Sequence, residues 1–200
     1  MRWNLPNILT VSRVPMLFVV VGLMYSEWSW AATWAFWLFI GAALTDWLDG
    51  YLARRSNQVS TFGRFMDAVI DKVMVLGIMI ALVNADFFGR LTVLAMVALL
   101  CILTREFAIS GLRMVAASKG VVMEADTSGK LKTFAQMNAI GWLLGAKMFR
   151  IDFGDLFPAD NLIIIQVVHI VGVSLYFLSA LLTITSGANY FRRHAHVMAD

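Results

Sequence analysis

The residues with the clearest chemical potential lie between Asp46 and Asp71, in the stretch D-W-L-D-G-Y-L-A-R-R-S-N-Q-V-S-T-F-G-R-F-M-D-A-V-I-D. Four carboxylates stand there in an otherwise apolar setting, Asp46 and Asp49 three apart, Asp67 and Asp71 four apart. On an α-helix either spacing brings the pair to one face. Gly50 and Ala53 share the face of the first pair, and Gly63 shares that of the second. The simplest arrangement is two helices joined by a polar turn over residues 56–60, with four carboxylates between them. Ionised aspartates at the centre of a membrane helix cost about 2.5–3.5 kcal/mol each, on the order of 10 kcal/mol for four, and they repel one another. A divalent cation relieves both costs while leaving every acid ionised. Oxygen-only donors favour a hard ion, Mg²⁺ or Mn²⁺, and a pair of ions shared with a substrate phosphate is expected. A solvated acidic loop or a proton relay could use the same acids, but gives no role to the glycines and arginine beside them.

The pattern D-x2-D-G-x2-A-R-x8-G-x3-D-x3-D, here Asp46, Asp49, Gly50, Ala53, Arg54, Gly63, Asp67 and Asp71, resembles the signature of the CDP-alcohol phosphotransferase family. All eight defined positions match, and a chance match at any one start has odds on the order of 10⁻⁹. The resemblance implies that Asp46, Asp49 and Asp67 bind metal, with Asp71 joining them and acting as general base. It also implies that Gly50, Ala53 and Gly63 let a cytidine diphosphate approach the helices closely, while Arg54 holds the nucleotide end.

The elements that must carry this motif are membrane helices. Sixty per cent of the 200 residues are hydrophobic and the mean hydropathy is +0.76, outside the range of ordinary soluble domains. The expected fold is all-α and polytopic, one membrane-embedded domain over residues 1–200. Six apolar spans are expected at about 10–26, 29–49, 66–85, 91–111, 133–150 and 162–187. Residues 1–13 are too polar and interrupted for a signal-peptide core and suit an interfacial helix. All but Arg90, Lys147 and Arg150 of the 16 basic residues fall on one side of these spans. That asymmetry puts both termini and the acid cluster on the cytoplasmic face of a multi-pass cell (inner) membrane protein. Trp3, Trp28, Trp30 and Trp47 near span ends fit an aromatic belt. The net charge of +3 is modest, and no nucleic-acid partner is expected. Cys101 lies in an apolar run and reads as a small buried hydrophobe.

A second polar constellation closes span four, T-R-E-F-A-I-S-G-L-R, followed by T-S-G-K-L-K-T. Arg105 and Arg113 are two turns apart on roughly one side, and Glu106 is placed to pair with a neighbouring base. With Lys130 and Lys132 they form a candidate anion pocket, planar bidentate donors joined by point charges. They could equally be positive-inside anchors. Both stretches, and the start N-L-P-N-x-L-T-x-x-R, are similar to the phosphatidylglycerophosphate synthase branch of the family. On that resemblance Asn7, Thr10 and Arg13 contact the donor's headgroup. Gly141 and Gly145 form a small-residue face expected to pack internally. Gln166, His169 and Tyr176 are expected to turn inward on span six, with His169 a hydrogen-bonded core residue.

The reaction implied is attack by an acceptor hydroxyl, deprotonated by Asp71, on the phosphorus attached to the diacylglycerol of CDP-diacylglycerol, with CMP leaving. Glycerol 3-phosphate is the expected acceptor because the basic set offers a phosphate site. Inositol phosphate, serine or phosphatidylglycerol would use the same chemistry. Membrane lipids surround the chain, and relatives of this family commonly form homodimers, so a homodimer is expected. A small cation transporter would also use intramembrane acids, but spread through the span depth.

Overall fold

The computed structural model describes residues 5–56, 61–120, 127–156 and 162–193, with side chains at 10–45, 66, 69–120, 129–155 and 163–193. Among the described residues the chain is all-helical: α1 (Leu5–Met24), α2 (Ala31–Ser56), α3 (Thr61–Asn84), α4 (Thr92–Ser118), α5 (Thr127–Ile151) and α6 (Leu162–Arg193), with short 3₁₀ turns at Gly89–Leu91 and Gly154–Leu156. Each expected span corresponds to one helix. α2, α4 and α6 run several residues past their apolar stretches, through A-R-R, L-R-M-V-A-A-S and N-Y-F-R-R, none of which holds a Gly or Pro to break the helix. α4 stops where Gly120 takes φ 75°, a left-handed conformation that only glycine adopts cheaply. α1 is continuous from Leu5 to Met24 with Pro15 inside it, so no break separates the expected interfacial segment from the first span within the described residues.

Among the described residues two helices, Gly89–Ser118 and Ile163–Arg193, are long and apolar enough to cross a membrane, yet only 28% of each apolar window is buried inside the protein. Val93, Leu94, Val97 and Leu100 on α4, and Ile163, Val167, Ile170 and Leu181 on α6, face outward. Such contiguous apolar surface needs an apolar surrounding, which identifies a membrane protein.

All six helices contribute to the main core, among them Leu17 and Val20 of α1, Phe39 of α2, Ile78 and Leu82 of α3, Leu99 and Ile102 of α4, Leu143 and Leu144 of α5, and Tyr176 of α6. Small residues set the closest approaches. Gly141 and Gly145 face Phe39 and Phe36 of α2 within the same chain. α5 meets α6 most tightly at Gly172, where a Cβ would lie 2.9 Å from Leu143 Cγ and 3.0 Å from its backbone nitrogen. Because backbone cannot yield as a side-chain tip can, Gly172→Ala is expected to destabilise by about 1–3 kcal/mol, read as a lowered melting temperature in detergent. An unchanged melting temperature would show that α5 and α6 are not held this closely.

The end of the bundle remote from the acid motif is stapled. Asp152 accepts from the Thr33 backbone N–H and hydroxyl, both at 2.7 Å, capping the start of α2. Lys147 donates to the Met24 carbonyl at the end of α1 and lies over the Phe87 ring, while His169 Nε2 meets the Phe87 carbonyl at 2.8 Å. His169 is thus a hydrogen-bonded packing residue, and Tyr176 is buried with its hydroxyl on the Ala95 carbonyl. Gln166 departs from its expected inward direction and is exposed. It lies one turn from the start of α6, where a polar side chain can reach the polar boundary without entering the core.

Candidate active site

The opposite end of the bundle opens into a cavity of about 830 Å³ to which all six helices contribute, α2 through Ala42 alone among the described side chains. α1 contributes Arg13, α3 Asp71 and Lys72, α4 Arg105, Glu106, Ser110 and Arg113, α5 Lys130, Lys132 and Gln136, and α6 Tyr190. The helical spacings explain the grouping. Glu106, Ser110 and Arg113 follow an i, i+4, i+7 stripe on α4, as Gly129, Lys132, Thr133 and Gln136 follow i, i+3, i+4, i+7 on α5. Lys130 and Lys132 are two residues apart, about 200° around the helix. They accordingly take different places, Lys132 buried and Lys130 exposed at the rim.

Six cationic side chains line this space against two carboxylates, Asp71 and Glu106, so among the described residues it is an anion-attracting cavity. Glu106 is buried between cations, accepting from Arg105 Nη1 at 3.1 Å and pairing with Lys132. The expected partner "neighbouring base" is therefore two bases, one of them from another helix. Their mutual repulsion would splay Arg105 and Lys132 apart; the carboxylate between them holds both heads together and leaves the group net positive. Arg105 also donates through Nη2 to Ser186 Oγ at 3.2 Å, and Arg113 donates through Nε to Tyr190 Oη at 3.1 Å.

Asp71 lies across the same cavity. Arg13 donates to it through Nη1. The arginine side chain is 1% exposed and the aspartate 45%, so a buried cation orients an accessible carboxylate. Thr10, one turn before Arg13, is buried on the same face of α1. Both were expected at a donor headgroup; the structure sets Arg13 against Asp71 at the edge of the cavity.

Asp46, Asp49, Gly50, Ala53 and Arg54 lie within α2, Gly63 and Asp67 within α3, and Asn7 within α1. Their side chains lie outside the described residues. The two acid pairs have matching register: Asp46 and Asp49 precede the end of α2 at Ser56 by ten and seven residues, and Asp67 and Asp71 follow the start of α3 at Thr61 by six and ten. Each pair therefore sits roughly 9–15 Å along its helix from the end nearest residues 57–60. Ala42, one turn before Asp46, lines the cavity together with Asp71.

Sequence reasoning passed over Lys72, Gln136, Ser186 and Tyr190. Lys72 was counted only among the basic anchors. The signal for the α6 pair was available: Thr183, Ser186, Gly187 and Tyr190 follow i, i+3, i+4, i+7, a small and polar stripe on an apolar helix.

A family model described as CDP-alcohol phosphatidyltransferase matches residues 3–185. The chain is 36% identical over 190 residues to the CDP-diacylglycerol–glycerol-3-phosphate 3-phosphatidyltransferase of Rickettsia typhi, covering 94% of this chain and 96% of that one. It is 37% identical over 154 residues to the protein of the same name from Bacillus subtilis, covering 71% and 77%. With the corresponding protein of Salmonella typhimurium the identity is 34% over 192 residues, covering 95% and 94%. With the eight-position motif borne on two helices of matching register, these likenesses show that the chain belongs to the CDP-alcohol phosphatidyltransferase family.

Proposed function

We propose that the chain transfers the phosphatidyl group of CDP-diacylglycerol to glycerol 3-phosphate, giving phosphatidylglycerophosphate and CMP. The observation that carries this reading is the one cavity in which an accessible Asp71 shares space with six cationic side chains. Both substrates are anionic, and the acceptor brings its own phosphate. The names of the relatives specify the same donor and acceptor.

In this reading Arg105, Arg113, Lys130 and Lys132 hold the acceptor's phosphate, and its hydroxyl is directed towards Asp71. Asp71 takes the hydroxyl proton as the oxygen attacks the donor phosphorus, and CMP departs with the electrons of the broken P–O bond. Asp46, Asp49 and Asp67, with Asp71, hold Mg²⁺ or Mn²⁺, two ions in all. An all-carboxylate donor set at one helical height fits such ions. When bound, they neutralise the diphosphate and stabilise the departing CMP. Gly50, Ala53 and Gly63 admit the nucleotide close to the helices, and Arg54 holds it. Asn7, Thr10 and Arg13 stand on α1 towards the donor headgroup.

An apolar groove of about 420 Å³ between α2 and α5, lined by Phe36, Phe39, Gly141 and Trp142, shares Met137 with the polar cavity. It offers a donor acyl chain a path from lipid to the site. All six helices cross the membrane, α1 as one continuous helix whose first turns carry Arg13 to the cavity, and the cavity and both termini face the cytoplasm, on the basic side. Residues 1–200 act as one domain, and two copies form a homodimer.

The test is CMP release by purified protein in detergent with CDP-diacylglycerol, Mg²⁺ or Mn²⁺, and one acceptor at a time. Release that requires glycerol 3-phosphate and stops with a chelator is expected. Release with inositol phosphate, serine or phosphatidylglycerol instead would keep the chemistry and replace the acceptor. No release from folded protein with any acceptor would return the acids to an ion-transport role.

A further inference from the structure

We infer that the last turns of α6 position Arg105 and Arg113, and thereby set the fit of the anion pocket to the acceptor's phosphate. The inference rests on the proposed acceptor site, and adds to it residues that need not touch the substrate.

Thr183, Ser186, Gly187 and Tyr190 form one stripe of α6 turned towards α4, with Ser186 4% and Tyr190 2% exposed. Each member has a distinct task. Ser186 donates its hydroxyl hydrogen to the Thr183 carbonyl at 3.2 Å, which leaves its oxygen lone pairs for Arg105 Nη2, also at 3.2 Å. Gly187 gives the arginine stem its place: a Cβ there would lie 2.7 Å from Arg105 Cγ and 3.5 Å from Nε. Any side chain at 187 must therefore push Arg105 off α6. Tyr190 accepts from Arg113 Nε at 3.1 Å, and the guanidinium carbon stands 5.4 Å from the ring centroid.

Anchoring through Nε leaves the two terminal nitrogens of Arg113, the edge that grips a phosphate in bidentate fashion. Arginine side chains are costly to immobilise, and a wall that holds them before the ligand arrives removes that cost from binding. A wall that fixes both arginines is suited to tuning which phosphorylated alcohol the site accepts.

The experiment compares wild type with Tyr190→Phe, Ser186→Ala and Gly187→Ala, as purified full chain with CDP-diacylglycerol and a divalent ion, varying glycerol 3-phosphate. Tyr190→Phe keeps the ring and removes the acceptor oxygen; it and Ser186→Ala are expected to raise KM for glycerol 3-phosphate about 3- to 10-fold. Gly187→Ala is expected to raise it about 10-fold or more, because it displaces the whole arginine. KM for CDP-diacylglycerol and kcat should stay within about twofold, a split that loss of folded protein would not give. Unchanged KM for glycerol 3-phosphate in Tyr190→Phe and Gly187→Ala overturns the inference, as does a fall in kcat alone. If wild type releases no CMP, the proposed function fails separately, and calorimetric binding of inorganic phosphate decides the inference. Binding weakened by the same factors supports it. Equal binding, or none by wild type, overturns it.

Discussion

Asp71→Asn is expected to lower kcat for CMP release by about 10³-fold or more, while the protein stays folded and still binds CDP-diacylglycerol. A positioned general base contributes roughly 10²–10⁴-fold by itself, and the same carboxylate is proposed to help hold the metal ions. Asparagine is the diagnostic replacement because of Arg13. That guanidinium is almost wholly buried and donates to Asp71. An amide oxygen can still accept that hydrogen bond, whereas alanine would remove an acceptor from a buried cation and confound chemistry with folding. The measurement is steady-state CMP release, with melting temperature as the folding control. A variant with kcat within about tenfold of wild type would remove Asp71 from the role of base.

The parts of this site that were legible in the sequence are those whose geometry is local. The helices that carry Asp46 with Asp49, and Asp67 with Asp71, follow from the apolar spans alone, while of these four acids only the side chain of Asp71 falls among the described residues. The grouping of Arg105, Arg113, Lys130 and Lys132 was legible too, since charge asymmetry places them at one end of the bundle and the structure lines one cavity with all four. What escaped are contacts between helices distant in sequence. Arg13 meets Asp71 across 58 residues, Arg113 meets Tyr190 across 77, and Arg105 meets Ser186 across 81. Each depends on how far a helix is rotated about its own axis. In a soluble bundle the apolar stripe announces that rotation, but helices that are apolar nearly all round carry little such signal. Gln166 was misjudged for this reason, and the α6 stripe was passed over. Rotation is set instead by close approaches such as Gly172 on Leu143, which emerge only when both helices are in place.

Arg105→Gln is expected to lower kcat/KM for glycerol 3-phosphate by about 10–150-fold, the equivalent of one charged hydrogen-bonding group lost from a phosphate. Arg105 spends one N–H of Nη1 on Glu106 and one of Nη2 on Ser186, and each terminal nitrogen carries a second N–H for an anion. Glutamine keeps a polar head of shorter reach and gives up both the charge and the planar fork. Glu106 would still pair with Lys132, so the substitution need not leave a buried carboxylate alone. The loss should fall mainly on KM for glycerol 3-phosphate, with KM for CDP-diacylglycerol little altered, because the nucleotide end belongs to α2 and α3 in the proposed site. That places Arg105→Gln and Asp71→Asn on different kinetic parameters of one reaction, acceptor binding for the first and turnover for the second. Steady-state rates with each substrate varied in turn separate them. Should Arg105→Gln instead raise KM for the lipid donor, the basic cluster of α4 and α5 would be the diphosphate site, and the acceptor would have to bind nearer α1.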